Sequence, residues 1–246
     1  KDNEGAKIFR KLLDTLYTKG IVDPIQAIEV ITKFLLIKEI FVSGLLEKYR
    51  DNGAVWLQAF IDIDWESFKA QNRHQLIDIF KNDIFPLTNF LAAQGEEIGL
   101  LASRLHFEIS NLPNDFIFEV LYLIDLATEK NDYTPRELFE DLFLDISITG
   151  TNGQFKTPDH LTELMVEMVS PDLNDSILDP FCGTGTLLIE AAKYILKTEQ
   201  TLLSEEDKKI QFSRDVFRGN DLNSTISNLG KIRMFLNGIK PNINNE

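Results

Sequence analysis

Asp179-Pro-Phe-Cys-Gly-Thr-Gly-Thr186 sets a carboxylate, two glycines one residue apart and two hydroxyls ahead of the aliphatic run Leu187-Leu-Ile-Glu-Ala-Ala192. Glycines at 183 and 185 let a chain turn sharply and approach a ligand with no Cβ in the way. A strand that enters such a turn and a helix that leaves it direct backbone N–H groups at a nucleotide-like ligand. Asp179, at the carboxyl end of the predicted strand, can accept hydrogen bonds from a ligand ammonium group or an ordered water. An isolated Gly-x-Gly would fit a plain strand–turn–helix equally well. The Asp-Pro in front and the aliphatic helix behind favour ligand binding.

Asp221 falls at the end of a second predicted strand, 36 residues after Gly185. An acidic residue there can take a pair of ribose hydroxyls, although dinucleotide sites use a spacing nearer 20. The extra length, from Gln200 to Gln211, reads as an insertion. A helix-capping role for Asp221 is compatible, but Asn223 is the better cap and leaves Asp221 free. Cys182 reads as a small residue filling the turn, with no histidine near it in sequence to activate a thiol. His74, His106 and His160 are isolated, and no His, Cys or acidic pair has metal-site spacing, so no metal is expected. Trp56, Phe60, Trp65 and Phe68 read as helical core rather than a base-stacking platform.

The elements that must position these groups change character near residue 146. From Ala6 to Ile146, apolar residues recur three and four apart. Ile8, Leu12, Leu13 and Leu16 form one face; Ile25, Ile28, Val30, Ile31 and Leu35 mark a second helix. Further helices are expected around 39–50, 65–72, 73–82, 86–93, 96–103, 115–128 and 135–146. Asp23-Pro24 supplies a cap followed by a first-turn proline, and Thr134-Pro-Arg-Glu137 reads as a capping box. The expectation is an all-α N-terminal domain over 1–148. From 149 an α/β rhythm begins. Thr157-Pro158 opens a helix with the apolar face Leu161, Leu164, Met165 and Met168. Short strands follow at Ile177-Leu178 and Val216–Gly219, with helices at 187–198 and 224–237 and Gly238 as terminal cap. Ser204–Lys209 reads as a solvated loop or helix start, and Pro241 stops further continuation. Two strands do not make a finished doubly wound sheet, so residues 149–246 read as an incomplete Rossmann-like domain.

The chain has 246 residues, 43% of them hydrophobic, with 18 phenylalanines, enough for one large core or two ordinary ones. No apolar run reaches the roughly 18 residues of a membrane span. The single cysteine allows no internal disulfide and fits a reducing cytoplasm. Net charge is −14, opposite in sign to the footprint of a nucleic-acid binder. Residues 1–150 carry 15 basic and 25 acidic groups, and 151–246 carry 10 and 14, so no basic half hides in the average.

Gly153-Gln-Phe-Lys-Thr-Pro158, Leu164-Met-Val166, the loop from Asp179 to Gly185, Gly219-Asn-Asp-Leu-Asn223 and Phe235-Leu-Asn-Gly-Ile239 together resemble the methylation subunit of type I restriction–modification systems. More broadly they are similar to N6-adenine DNA methyltransferases in which motif X precedes motif I. Asp23-Pro24, Phe34–Lys38 and Trp65–Phe68 resemble that subunit's helical N-terminal domain, and Glu137–Leu142 resembles the helix that leads into motif X. The resemblance implies an S-adenosylmethionine-dependent methyltransferase. Gln154, Phe155, Lys156, Thr157, Pro158 and Asp159 would line the methionine and adenosine end of the cofactor. Asp179, Gly183, Thr184, Gly185 and Thr186 would hold its amino-acid moiety. Asp221 would bind the ribose hydroxyls, and Leu222 would pack on the adenine. Lys156 stands where the family usually has tyrosine, and Arg233 where asparagine is common. Double-stranded DNA and specificity and restriction subunits are the implied partners.

The family's catalytic Asn/Asp-Pro-Pro-aromatic motif accepts hydrogen bonds from the target amine and stacks on a flipped base. None of the eight prolines here is adjacent to another, so the chain holds no catalytic residue of that type and is expected to be an N-terminal fragment, inactive by itself. Two other readings stay open. The loop also matches the style of RNA base methyltransferases, and the acidic composition suits a non-catalytic DNA- or subunit-assembly module.

Overall fold

A computed structural model of the chain describes residues 4–52, 55–72, 74–105, 113–130, 134–149, 157–200, 204–214 and 216–245. It separates into two compact units, Lys1–Phe143 and Leu144–Glu246.

The first unit is helical throughout its described residues. Helix α1 spans Glu4–Thr18 and α2 spans Pro24–Val42. Asp23 caps α2 by accepting from the Ile25 N–H at 3.0 Å, with Pro24 in the first turn. Helix α2 is buried almost all round, as befits a central helix. The helix expected over 39–50 is instead the end of α2 followed by a 3-10 segment, Leu45–Asn52, after Gly44 turns the chain at positive φ. Then come α3 (Val55–Ile61), which the periodicity did not reveal, and α4 (Trp65–Asn72). Helix α5 (Leu76–Ile79) runs through a π turn, Phe80–Ile84, into α6 (Phe85–Ala93), so the two helices expected at 73–82 and 86–93 are continuous. Pro86 lacks the N–H of a regular ladder, and the widened turn lies immediately before it. Helices α7 (Glu97–Arg104), α8 (Asn114–Lys130) and α9 (Pro135–Thr149) complete the order. The capping box at α9 is formed: Glu137 N–H donates to the Thr134 hydroxyl and Thr134 N–H to the Glu137 carboxylate.

Two buried lysines of this unit share one buried carboxylate. Asp125 accepts from Trp65 Nε1 at 2.9 Å and pairs with Lys38 and Lys69. Lys33 donates to the Leu105 carbonyl at 2.6 Å and lies 4.0 Å from the Phe85 ring centroid. Phe60, Trp65 and Phe68 are core residues as expected, whereas Trp56 at the start of α3 is 44% exposed.

The second unit contains α10 (Asp159–Val169), β1 (Ile177–Asp179), α11 (Thr186–Thr198), α12 (Glu206–Arg214), β2 (Phe217–Asn220), α13 (Ser224–Leu236) and β3 (Ile243–Asn244). All three strands are parallel, in the order β1-β2-β3. Helices α11 and α12 connect β1 to β2, and α13 connects β2 to β3, in keeping with the crossover that parallel strands require. Strand β3 was not expected: it is two residues long, polar-flanked and just past Pro241, so it carries little strand signal. Gln200–Gln211 holds the start of α12, which buries Phe212. Leu188, Ile195, Phe217, Met234 and Ile243 share the core. Helix α10 reverses one expectation. It packs on α11 and buries Thr162 and Val166, while Leu161, Leu164, Met165 and Met168 are exposed. The side with more apolar residues is therefore not the side that meets α11.

Candidate functional site

Strand β1 ends at Asp179, whose Oδ1 accepts from the Phe181 N–H at 3.1 Å and starts the turn. Gly183 and Gly185 then adopt φ of 54° and 77°, the left-handed region that glycine enters without strain. The Gly185 N–H closes the turn on the Cys182 carbonyl at 2.8 Å, and α11 begins at Thr186. The turn is tied to the next strand as well. Cys182 N–H donates to the Asn220 carbonyl at 2.9 Å, and Gly183 N–H donates to Asp221 Oδ2 at 3.0 Å. The other Asp221 oxygen accepts from Asn223 N–H at 2.8 Å. Asn223 caps α13 through the Ile226 N–H, as expected.

Asp221 is thus spared the capping of α13, as expected, but each of its carboxylate oxygens holds one backbone N–H of its own. A carboxylate oxygen has two acceptor positions, so one backbone N–H does not by itself saturate either oxygen. Beside it Leu222 is 85% exposed, and Phe181 on the loop is 87% exposed. Two large apolar side chains thus stand in solvent next to the residues that tie the strand ends.

Two glycines permit the close packing. A Cβ on Gly219 in β2 would lie 2.7 Å from Cys182 Sγ, and one on Gly230 in α13 would lie 3.0 Å from the Gly183 carbonyl oxygen. Neither use is visible in the sequence, where Gly219 stands within a motif and Gly230 within a helix. The available signal was a glycine within an otherwise good helix former. Arg233, one turn beyond Gly230, is 3% exposed and donates to the Thr186 hydroxyl at 2.8 Å.

Cys182 is buried inside the turn, and its thiol is pushed up to about 12 by burial first and by the charges of Asp179 and Asp221 next, against an opposing pull from Lys231. The thiol stays protonated and packs; it is no nucleophile. Among the described residues, no group of three or more His, Cys, Asp or Glu could hold a metal ion.

The structure brings Asp179, Gly183, Thr184, Gly185, Thr186 and Asp221 together, with Leu222 beside them. Thr157, Pro158 and Asp159 are exposed at the start of α10, which packs on α11. Gln154, Phe155 and Lys156 lie outside the described residues.

Residues 137–245 match the family described as N-6 DNA Methylase. The chain is 25% identical over 158 residues to the type I restriction enzyme EcoEI methylase subunit of Escherichia coli, covering 60% of this chain and 32% of that protein. It is 29% identical over 86 residues to the type II restriction enzyme and methyltransferase RM.BcgI of Heyndrickxia coagulans, covering 35% of this chain and 13% of the other. It thus spans about a third or less of these relatives. In fold it resembles a protein described as a modification subunit of a type I restriction enzyme from Vibrio vulnificus YJ016, with a TM-score of 0.68, 17% identity, and 98% of this chain and 55% of that one covered. A methyltransferase subunit of a type I restriction–modification system from Streptococcus thermophilus gives a TM-score of 0.51 at 16% identity, over 98% of this chain and 58% of that one. Residues 137–245 thus match the N-6 DNA methylase family, and the chain is similar to the methylase subunits of type I restriction enzymes.

Proposed function

We propose that this chain is the cofactor-binding part of an S-adenosylmethionine-dependent, adenine-N6-specific DNA methyltransferase of a restriction–modification system. Its second unit is read as the opening portion of a Rossmann-like methyltransferase domain. The observation that carries the reading is Asp221: its carboxylate, accepting from Gly183 N–H and Asn223 N–H, ties the glycine turn after β1 to the end of β2. A carboxylate is the acceptor that a ribose diol requires, at the carboxyl ends of parallel strands where α/β folds take up nucleotides.

In this reading Asp221 accepts from the ribose hydroxyls, and Leu222 offers an apolar surface to the adenine. Asp179, Gly183, Thr184, Gly185 and Thr186 hold the amino-acid arm, with the N–H groups at the start of α11 favouring its carboxylate. Gln154 to Asp159 line the methionine and adenosine end. S-adenosylmethionine, when bound, supplies an electrophilic methyl group. The residues that receive the target adenine are not among those of this chain, because no Pro-Pro-aromatic motif occurs in it. Double-stranded DNA, specificity subunits and restriction subunits are proposed partners of the whole protein, and a cytoplasmic setting suits them. No helix among the described residues is long and apolar enough to cross a membrane.

Titration calorimetry of S-adenosylmethionine into the chain tests this reading. Binding is expected, and Asp221→Ala should weaken it by about tenfold or more, the loss of two charge-assisted hydrogen bonds. A folded chain with no affinity would favour the assembly-module reading instead. Unchanged affinity in the variant would remove Asp221 from the site.

A further inference from the structure

Helix α13 bears on the glycine turn through one face. Gly230, Arg233 and Met234 are spaced three and four apart and therefore lie together. Gly230 comes close enough that a Cβ would meet the Gly183 oxygen and the Thr184 Cα, and Met234 lies 3.6 Å from where a Cβ of Gly185 would stand. Between them the buried Arg233 sends Nη1 to Thr186 Oγ1 at 2.8 Å, with a longer contact of 3.5 Å to the Thr184 carbonyl.

A guanidinium can only donate. With an Arg233 N–H in one lone pair of Thr186 Oγ1, the threonine proton must point away from the arginine. A hydroxyl that accepts from a cation is also polarised into a stronger donor. We infer that Arg233 is a positioning residue: it fixes the turn from within the unit and commits the Thr186 hydroxyl to donate. The turn is thereby set to select a ligand that brings an anionic oxygen to the start of α11, such as the carboxylate of an amino-acid arm. An asparagine at this position, with its shorter side chain and its own acceptor oxygen, would impose no such polarity. This inference rests on reading the turn as the S-adenosylmethionine site.

The test compares two ligands on the whole chain: S-adenosylhomocysteine, which keeps the amino-acid carboxylate, and methylthioadenosine, which lacks that arm. Arg233→Met and Thr186→Val should each weaken S-adenosylhomocysteine by about tenfold, the size of one charge-assisted hydrogen bond, and leave methylthioadenosine within about twofold. The double variant should be no weaker than either single one, and Arg233→Lys should recover most of the loss. Equal losses for both ligands, or losses that multiply in the double variant, would reduce Arg233 to a packing role and overturn the inference. If Arg233→Met does not fold by circular dichroism, Thr186→Val alone decides by the same ligand comparison. A folded parent chain that binds neither ligand is a different failure, that of the site itself.

Discussion

Lys33 is buried in α2 and its ammonium is lowered to about 8 by desolvation. In the unfolded chain a lysine keeps its proton up to about 10.5. Between those values the unfolded state binds the proton and the folded state does not, so stability rises with pH across that window. Below about 8 both states are charged and the burial penalty is carried in full. The Phe85 ring and the Leu105 carbonyl offset part of it, leaving a rise on the order of 1–3 kcal/mol from pH 8 to 10.5. Urea unfolding at a series of pH values should show the parent chain gaining stability relative to Lys33→Met by this amount, because the fall above about pH 9 from the raised Cys182 thiol is common to both and cancels in the difference. A rise of equal size in the variant would assign it to other groups. The thiol of Cys182 offers a contrast at the same scale: desolvation there holds the neutral form, which suits a side chain that only fills a turn.

At the scale of elements, the site depends on how closely α13 approaches the loop after β1. Alanine is the better helix former, and at a free position Gly230→Ala would gain up to about 1 kcal/mol. Here the new Cβ would meet the Gly183 oxygen at 3.0 Å and Ile243 Cδ1 at 2.8 Å. The carbonyl is backbone and cannot swing aside, so the helix must lift. We expect a net loss of about 1–3 kcal/mol in chemical denaturation, the usual cost of overpacking, together with weaker cofactor binding because Arg233 moves with the helix. A stabilised variant would mean that α13 can slide without disturbing the turn. Helix α10 shows a different dependence, since its richest apolar side is exposed and only Thr162 and Val166 are buried.

For the whole molecule the controlling quantity is charge. With a net charge of −14 distributed over both halves, the chain repels a polyanion that approaches within about a Debye length, roughly 8 Å at physiological salt. The proposed DNA partner must then be gripped mainly by basic groups that this chain does not supply. Fluorescence anisotropy with a labelled duplex at 0.15 M salt should show no binding tighter than about 10⁻⁴ M, the weak end of non-specific association. Micromolar binding with a steep salt dependence would reveal a local basic patch that the average conceals.

The glycine turn, the capping residues Asp23, Thr134 and Asn223, and most helices were legible because each is written in local spacing and local hydrogen-bond chemistry. Pairings between distant residues were not. Asp221 was singled out, yet its bond to Gly183 N–H depends on β1 and β2 lying side by side. Strand β3 was invisible because two residues carry no period, and their hydrogen bonds come from a neighbour rather than from their own sequence. Gly230 reads as an ordinary helix position and Arg233 only as a departure from a common asparagine; their contacts with the turn depend on α13 lying against it. The sequence by itself determined which segments turn, coil or extend, and which chemistry the loop carries, since those follow from backbone freedom and side-chain type. Tertiary structure alone decided which carboxylate steadies the loop, which helix presses on it and which donor orients its hydroxyl, because these are contacts between residues 38 and 47 positions apart.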